Sequence, residues 1–580
     1  MTKQTILHLH PFCNKDNSDF IFLPAGIVGV INNLRKNYFK IISINVPLEM
    51  KLNPNKNIKE ILKKINFKIV IIDCHWYYFL YGAQEIAKIC KEINSECIVI
   101  VGGFSANFFR KEILKTSKNI DVIIKGDSES LMPDICKDLI YKGKNALTKF
   151  PNIIYKNRFG FIKDKKITYF DNNINKFDYI DITFMRHWKE YLQFSQGVKA
   201  PGISQIKKEN EKFFYLPTQK GCQNSCPSCG GSKYSYKILS NKKEISVRSP
   251  TNIIKDIKKL KDLGIKKLMI SGESNLNKWT YILKELKRNK IFLNIIFEEW
   301  QLPKKEFVKQ MISYAKNTDS GFIISALSGN EIIRIKNGKH FKNNKILEIA
   351  KIISKSENSY VSFWFAPNLV GATTKHFQET ISFAKELLEL NVLAPKPNID
   401  VLIGPMEIDL TSYVYSNFSS FSLSEPVWNY KYFIDFLKTK PEGEKLGNMS
   451  FSSKHINIKQ CNQLCEDFKN IILTMKENIE YFRGKKVYPL DKNLEIKDIE
   501  IKNYGVFLTI LNKSNKNILL SEQGFRLEGE KNLSFQKTKK IMLTGKNKLF
   551  LPINKNIFAN KKICHIVIRT DEFTGVGVRL

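Results

Sequence analysis

Apolar and polar positions follow two different periods over the first 145 residues. Short apolar runs, typical of buried strands, are separated by segments in which apolar residues recur every three to four positions, as in amphipathic helices. The strand-like runs are ILHL, YFKIISINV, FKIVIID, ECIVIVGG and NIDVIIKG, and the helix-like segments are AGIVGVINNLRK, NIKEILKKI and AQEIAKICKEI. Strands that alternate with helices predict a doubly wound parallel sheet, which binds ligands beyond the carboxyl ends of its strands.

A second series of strands and helices covers residues 211–410, after an irregular stretch, 146–210, that we interpret as a linker with local structure. Its strand-like runs are EKFFYLPT, KKLMISGES, IFLNIIFEEW, GFIISALSG, SYVSFWFAPNL and PNIDVLIG. The segment SPTNIIKDIKKLKDLG predicts a helix with Ser249 as its cap and Pro250 in its first turn. Six strand–helix units predict a whole or partial barrel with its site at the carboxyl ends of the strands.

The pattern changes again in the last third of the chain. Residues 411–490 include a long amphipathic segment, HINIKQCNQLCEDFKNIILTMKENIEYF, and residues 491–580 contain short alternating strands without a helix signal. The predicted fold is therefore α/β. It comprises an N-terminal Rossmann-like doubly wound domain (1–145), the linker, a partial TIM-type (β/α)6 barrel (211–410), a helical extension and a small C-terminal β-sandwich.

Composition adds a strong positive charge to this picture. The formal net charge is +37, which suggests nucleic acid as a partner because Lys and Arg neutralise phosphates. The lysines are spread over the polar faces of predicted helices, however, and a compositional bias explains them better, so we do not expect nucleic-acid binding. No apolar run approaches the roughly 20 residues that span a bilayer, and the chain start lacks a secretory signal. We expect a soluble cytoplasmic protein without a membrane partner.

Three of the 11 cysteines, Cys222, Cys226 and Cys229, lie within eight residues of one another in GCQNSCPSCGGSKYSY. Thiolates spaced in this way suit a cube-shaped iron–sulfur cluster, because a short loop can bind three irons and leave the fourth open. A zinc site would need a fourth ligand, for which no suitable Cys or His lies nearby. A CxxC redox pair would leave Cys222 unexplained. These two alternatives remain open on spacing alone.

The cysteine loop directly follows the first predicted barrel strand, and at this point the sequence resembles the radical S-adenosylmethionine (SAM) superfamily, whose signature is CxxxCxxC. The resemblance extends over residues 212–405 and implies a 4Fe-4S cluster on the three cysteines, with SAM at the open iron. Ser271-Gly272-Glu273 stands at the family's GGE-type motif. The segment ALSGNEIIRIKNG places Ser328 at a SAM-contacting position, and NLVGATTKHF places Gly371 beside the adenosine.

Two residues depart from the family pattern. Ser228 stands where an aromatic residue often precedes the third cysteine, and Leu327-Ser328-Gly329 stands where the family often has ESG. Both departures concern the contacts to SAM rather than the cluster ligands.

The N-terminal domain in front of such a barrel resembles that of cobalamin-binding radical SAM proteins. The residues that carry this resemblance are PAGIVGVINNLRK, VGGFSAN and DVIIKGDSES. It implies that Gly102, Gly103, Ser105 and Gly126 line the corrinoid. The family's DxHxxG cobalt-ligand motif is absent after the first strand. Asp73-Cys74-His75 matches only its first half, after a later strand, so we do not assign His75 as a cobalt ligand.

Two further groups have competing interpretations. Cys461 and Cys465 lie four residues apart in the long helical segment, which suggests either a second cluster or two small buried side chains. Glu298, Glu299 and Trp300 end a predicted barrel strand and either face the substrate or form a solvated rim.

The resemblance implies an enzyme that cleaves SAM reductively, most simply a cobalamin-dependent methyltransferase that acts on an unactivated carbon. Its expected partners are a small-molecule or peptide substrate and an external one-electron reductant of the ferredoxin or flavodoxin type. One alternative is a radical SAM hydrogen-abstraction or rearrangement enzyme that has lost cobalamin. Another is a basic nucleic-acid-binding protein with a structural cluster. The sequence singles out no catalytic side chain and does not name the substrate.

Overall fold

The computed structural model is a mixed α/β structure with two large parallel sheets, which confirms the predicted class. It describes residues 5–14, 20–55, 57–157, 159–194, 212–273, 276–392, 394–421, 423–424, 429–439, 452–482, 493–502, 505–514, 518–529, 533–536, 541–552, 563–570 and 575–579. Within these residues, no helix is long and apolar enough to cross a membrane.

The first sheet has seven strands in the order β2-β1-β3-β4-β5-β6-β7. The first five are parallel, whereas β6 and β7 are antiparallel and extend the sheet beyond residue 145. The strands are β1 (Thr5–His10), β2 (Lys40–Asn45), β3 (Ile69–Asp73), β4 (Ile98–Gly102), β5 (Val122–Ile124), β6 (Ile153–Lys156) and β7 (Ile162–Asp164).

Helices cover both faces of this sheet, because its central strands are apolar on both sides. Leu7 and Leu9 of β1 pack with Ile86 of one helix, whereas Ile6 packs on the other face with Ile31. The helices are α1 (Ala25–Lys36), α2 (Val46–Leu52), α3 (Ile58–Lys63), α4 (Leu80–Ile93), α5 (Phe104–Phe108), α6 (Arg110–Thr116), α7 (Met132–Lys142) and, after the sheet, α8 (Trp188–Phe194).

The second sheet has six parallel strands, in the order β15-β14-β13-β12-β11-β8. A two-stranded antiparallel ribbon, β9 with β10, flanks the cysteine loop. The strands are β8 (Phe213–Tyr215), β9 (Gln219–Lys220), β10 (Ser246–Val247), β11 (Lys267–Ser271), β12 (Asn294–Glu299), β13 (Ser320–Leu327), β14 (Ser359–Phe365) and β15 (Ile399–Ile403).

Helices between these strands bury one apolar face against the sheet. The Ser249 side chain accepts a hydrogen bond from the Asn252 backbone N–H, and Pro250 begins the helix, as predicted. The helices are α9 (Lys233–Ser240), α10 (Pro250–Asp262), α11 (Leu276–Arg288), α12 (Lys305–Ala315), α13 (Glu331–Lys336), α14 (Asn343–Ser354) and α15 (Thr374–Glu389).

The remaining elements are helical first and then antiparallel β. The helical part contains α16 (Tyr413–Ser416), β16 (Leu423–Ser424), α17 (Tyr430–Thr439), β17 (Ser452–Ser453) and α18 (Ile458–Phe482). The strands that follow form two antiparallel sheets. They are β18 (Leu494–Lys502), β19 (Gly505–Asn512), β20 (Ile518–Gly529), β21 (Leu533–Gln536), β22 (Ile541–Leu543), β23 (Lys546–Pro552), β24 (Ile563–Thr570) and β25 (Gly575–Arg579).

Candidate functional site

Two cavities lie at the carboxyl ends of the parallel strands. The first, here called the N-terminal cavity, has a volume of about 350 Å³ and is lined by the ends of β3 to β5 and by the ribbon at Lys220. The second, the central cavity, has a volume of about 710 Å³ and reaches from the first sheet to the ends of β11 and β12. The cavities adjoin, because eight residues line both: Phe22, Ala25, His75, Trp76, Phe104, Tyr179, Pro217 and Gln219.

The cysteine loop lies between these cavities through the residues that flank it, although Cys222, Cys226 and Cys229 line neither cavity. Lys220, just before it, lines the N-terminal cavity, and Gly230 and Gly231, just after it, line the central cavity. Cys222, Cys226 and Cys229 are free thiols. Backbone N–H groups of the loop point at two of the sulfurs: Asn224 N lies 3.4 Å from Cys222 Sγ, and Gly231 N lies 3.3 Å from Cys229 Sγ.

The turn after α13 packs against the cysteine loop. Gly338 has φ +84°, and a Cβ on it would lie 2.9 Å from Cys226 Cα and 3.4 Å from Cys226 Sγ, so the contact requires glycine. The next residue, Lys339, is 4% exposed, and its Nζ donates to the Trp300 carbonyl at 2.8 Å. Burial lowers the pKa of Lys339, although the cysteine thiols oppose this shift. A buried cation therefore lies beside the three sulfurs.

These sulfurs fit a cluster by their donor chemistry. In the described residues, no group of three or more His, Cys, Asp or Glu side chains is arranged to hold one metal ion. A 4Fe-4S cluster makes no such demand, because each thiolate binds a different iron. Burial raises the pKa of Cys222 and Cys229, but backbone N–H donors to both sulfurs oppose this shift and favour thiolate ligands, so the residues present suit a cluster.

The four predicted SAM contacts lie outside the lining of both cavities. Gly272 follows β11, and its carbonyl accepts a hydrogen bond from Gln219 Nε2 at 3.1 Å. The carboxylate of Glu273 is buried, pairs with Lys278 Nζ at 2.8 Å and accepts from Trp279 Nε1 at 3.1 Å. Ser271, the first residue of the same motif, lines the central cavity.

Ser328 and Gly371 lie around helix α15 and its preceding turn. The Ser328 hydroxyl lies 3.2 Å from Thr380 Oγ1 and accepts from the Asn330 backbone N–H at 3.1 Å. Gly371 has φ +79° and lies close to the Lys336 side chain. The assignment of these two residues, like that of Gly272 and Glu273, stays a prediction.

The four predicted corrinoid contacts lie at the cavity walls. Gly102, Gly103 and Gly126 line the N-terminal cavity, whereas Ser105 lines the central cavity and donates through Oγ to the His75 carbonyl at 3.0 Å. Gly103 has φ +111°, and a Cβ there would lie 2.6 Å from the backbone of Cys74. The β3 and β4 loops therefore pack backbone to backbone at this position, which only glycine allows.

Asp73 is the last residue of β3, and His75 follows two residues later in a different environment. The Asp73 carboxylate lies between two buried histidines, with His8 Nε2 at 3.0 Å and His10 Nδ1 at 2.7 Å. Burial alone would raise the pKa of Asp73, but these histidines hold it well below its usual value. His75 lines both cavities, and burial lowers its pKa to about 4. Its imidazole is therefore neutral at physiological pH.

Buried ion pairs join the first sheet to the cysteine loop. Lys220 Nζ lies 2.7 Å from Asp127 Oδ1 and 2.8 Å from Glu129 Oε1, and Lys242 Nζ lies 3.0 Å from Asp127 Oδ2. Burial would lower the pKa of Lys220, but Glu129 and Asp127 outweigh it and raise that pKa. The sequence analysis did not find these pairs, because their members are about a hundred residues apart.

Three carboxyl groups line the central cavity: Glu298, Glu407 and Asp409. Burial raises the pKa of Glu298 despite a hydrogen bond from Ser271, and burial with the neighbouring Asp409 raises the pKa of Glu407 to about 7. The sequence analysis proposed Glu298 but missed Glu407 and Asp409. Both follow the carboxyl end of β15, and the strand-end rule that located the cysteine loop would have indicated them.

The remaining residues that the sequence singled out are Glu299, Trp300 and the two cysteines of the long helix. Glu299 is 3% exposed, and its Oε1 is buried without a hydrogen bond in the described part of the chain. Cys461 and Cys465 are both buried against Ile456 in a small group of apolar side chains. This environment favours a packing role over a second iron–sulfur cluster. Trp300 lines the central cavity.

Some known proteins are similar in sequence to part of this chain. No family model matches the chain. It is 26% identical over 243 residues to a tRNA-2-methylthio-N(6)-dimethylallyladenosine synthase of Clostridium botulinum, covering 37% of this chain and 52% of that protein. It is 23% identical over 185 residues to the anaerobic magnesium-protoporphyrin IX monomethyl ester cyclase of Cereibacter sphaeroides, and this match covers 31% of this chain and 26% of that protein. The chain thus spans about half, or less, of the curated relatives it matches.

Solved structures match over a longer stretch. One is the radical S-adenosylmethionine methyltransferase TsrM from Kitasatospora setae with cobalamin and a [4Fe-4S] cluster bound, at a TM-score of 0.54 and 12% identity, covering 71% of this chain and 77% of that one. Another is the cobalamin-dependent S-adenosylmethionine radical enzyme OxsB with aqua-cobalamin and SAM bound. Its TM-score is 0.52 at 13% identity, and the match covers 83% of this chain and 71% of that one. The chain has the fold of these enzymes, and its predicted resemblance to cobalamin-binding radical SAM proteins is confirmed.

Proposed function

We propose that this protein is a radical SAM enzyme and, more specifically, a cobalamin-dependent methyltransferase that acts on an unactivated carbon. The observation that carries the proposal is the position of the cysteine loop between two adjoining cavities, which the residues that flank the loop line. One cavity lies at the carboxyl edge of the first parallel sheet, and the other reaches the second sheet. Two cofactors and a substrate could thus meet at this point.

The fold comparison supports a finer description of the domains. The first sheet, with helices on both faces, corresponds to a Rossmann-like corrinoid domain, and the six consecutive parallel strands to a partial (β/α)6 barrel. The elements from α16 to α18 form a helical extension, and the last strands a small β-sandwich. Because β6 and β7 belong to the first sheet, we propose that its domain ends after Asp164 rather than at residue 145, and we keep the boundaries at residues 210, 410 and 490.

Each cofactor would be held by its own set of residues. Cys222, Cys226 and Cys229 would bind a 4Fe-4S cluster, which when bound supplies the electron that cleaves SAM to methionine and a 5'-deoxyadenosyl radical. Gly102, Gly103 and Gly126 would let the first sheet's loops approach a corrinoid, which when bound supplies a methyl carrier. Gly272, Glu273, Ser328 and Gly371 are the proposed SAM contacts.

The chain's own side chains provide the surroundings for this chemistry. Lys220, paired with Asp127 and Glu129, fixes the cysteine loop against the first sheet. Phe22, Trp76 and the other aromatic residues shared by both cavities exclude water from the region where the cavities meet. The neutral imidazole of His75 is available there as a hydrogen-bonding group. The electron would come from an external donor of the ferredoxin or flavodoxin type.

The test is anaerobic reconstitution of the whole chain with iron, sulfide and hydroxocobalamin, followed by gel filtration and then reduction with SAM. We expect about four irons and one corrinoid per chain, and release of 5'-deoxyadenosine. Iron and 5'-deoxyadenosine without retained corrinoid would instead support the hydrogen-abstraction enzyme without cobalamin. Absence of both iron and 5'-deoxyadenosine would overturn the proposal as a whole.

A further inference from the structure

The central cavity differs in charge from the rest of the molecule. The chain carries a net charge of +37, yet among the described residues that line this cavity three are carboxylic acids and none is Lys or Arg. A surface that binds phosphate has the opposite composition, because Lys and Arg are what neutralise it. The cavity is therefore built for a positively charged or neutral ligand.

One carboxyl group of this cavity is left without a partner. Asp409 accepts a hydrogen bond from the Gly230 backbone N–H at 2.8 Å, and Glu298 accepts one from Ser271. In the described part of the chain, no Lys, Arg or His forms an ion pair with Glu407, and the charge of Asp409 acts on it and raises its pKa, as burial does. A half-buried carboxyl group beside another acid gains most from a ligand that brings a positive charge.

A second observation at the same place also indicates a ligand. Tyr77 is 8% exposed and lines the cavity, and its hydroxyl makes no hydrogen bond of normal geometry in the described residues, although Tyr78 lies beside it. Glu407 and Asp409 both act electrostatically on this hydroxyl. A buried hydroxyl without a well-formed hydrogen bond costs free energy, which a donor on a ligand would recover.

The wall next to these polar groups is aromatic. Phe20 contacts Trp76 at 5.2 Å and Tyr78 at 5.8 Å between ring centroids, and Phe22 contacts Tyr215 at 4.9 Å. All five residues line the central cavity. Aromatic faces bind flat apolar groups and also attract cations.

We propose that the central cavity selects a substrate that carries a protonated amine on a flat or apolar body, with the amine at Glu407, Asp409 and the Tyr77 hydroxyl. This inference rests on the proposed function and specifies its substrate class. SAM also carries positive charge, so the decisive experiment must separate binding of the substrate from binding of SAM.

The experiment is equilibrium dialysis of the holoprotein, loaded with cluster, cobalamin and SAM, against three probes of similar size: 2-phenylethylamine, 3-phenylpropanamide and 3-phenylpropionate. We expect retention of the amine, weaker retention of the amide and least of the carboxylate. Loss of one charged contact in Glu407→Gln should weaken amine retention about tenfold or more, and Tyr77→Phe should weaken it several-fold. The exposed Glu306→Gln should match the parent protein.

Iron, corrinoid and SAM are measured in the same dialysed samples. Full loading of Glu407→Gln with lost amine retention supports the inference. Equal retention of the amine and the amide by the parent protein overturns it, and so does an unchanged affinity in Glu407→Gln. If Glu407→Gln loses SAM instead, the carboxyl group serves the cofactor and the inference is wrong. A parent protein that lacks iron would show failure of the proposed function rather than of this inference.

Discussion

The two cavities differ in how their acidic residues are satisfied. Each carboxylate that lines the N-terminal cavity has a Lys or His partner: Asp73 with His8 and His10, Asp127 with Lys220 and Lys242, and Glu129 with Lys220. In the central cavity, Glu407 has no such partner among the residues that the structure describes, and Glu298 and Asp409 accept hydrogen bonds from uncharged groups. The paired charges hold the first sheet together and fix the cysteine loop against it, whereas unpaired ones are available to a ligand.

The largest effect should come from the loop between the cavities. Cys222→Ala, Cys226→Ala and Cys229→Ala should each abolish 5'-deoxyadenosine formation and lower iron well below the about four atoms of a full cluster, because each removes the thiolate of one iron. Iron analysis after anaerobic reconstitution measures this. Cys136→Ala changes a buried cysteine inside the N-terminal core and should keep full iron. If it loses iron equally, the three cysteines have no special role.

The next effect tests the paired side of the comparison. Asp127→Asn leaves Lys220 and Lys242 without their shared carboxylate, and breaking a buried pair costs about 4 kcal/mol. We expect a clear drop in melting temperature and weaker corrinoid retention. Glu92→Gln breaks the exposed pair with Lys59, which should leave the melting temperature nearly unchanged because solvent screens such pairs. Equal melting temperatures for the two variants would show that the buried pairs do not fix the cysteine loop against the first sheet.

A backbone change should have a smaller effect on the same cavity. Gly103→Ala forces a Cβ against the Cys74 backbone at positive φ, which should cost about 3 kcal/mol and reduce corrinoid retention. Gly143 also has a positive φ, of 63°, but an added Cβ there would meet open space. The control Gly143→Ala therefore measures the cost of the backbone conformation without the steric clash. Thermal denaturation and the corrinoid absorbance of the loaded protein measure both quantities. An unchanged corrinoid content in Gly103→Ala would remove Gly103 from the cofactor site.

The smallest expected effect concerns Glu407 of the central cavity, whose contribution to stability depends on pH. Burial and Asp409 raise the pKa of Glu407 from 4.5 to about 7, so the folded protein retains a proton that the unfolded chain releases. The resulting penalty is absent below pH 4.5, grows up to about pH 7 and is constant above it. Glu407→Gln removes the ionisable group and should therefore stabilise the ligand-free protein more at pH 8 than at pH 5.5.

Melting temperatures of the parent and the Glu407→Gln variant at pH 5.5, 6.5 and 8 should therefore diverge as pH rises. A difference that stays constant over this range would contradict an unpaired Glu407. An added amine should reduce the difference, because it stabilises the ionised carboxylate of the parent protein.

The sequence predicted those features that depend on local pattern. The parallel strands follow from apolar runs, the α10 cap from Ser249 before Pro250, and the cysteine loop from its spacing and its place after a strand. The pairs of Lys220 with Asp127 and Glu129 depend on how the ribbon beside the cysteine loop meets the first sheet, and no local signal carries that information. Glu407 and Asp409 gave a signal, since they follow a barrel strand, but their proximity to Tyr77 became visible only in the fold.

Methyl transfer through cobalamin can be measured directly with SAM that carries a trideuterated methyl group. The holoprotein, loaded with cluster and cobalamin, is incubated with this SAM under reducing conditions, and the corrinoid is then released and examined by mass spectrometry. A methyltransferase that carries its methyl group on cobalamin should place the deuterated methyl on the corrinoid. The same holoprotein incubated without added SAM should release a corrinoid without the label. A fully loaded protein whose corrinoid never acquires the label would contradict the account.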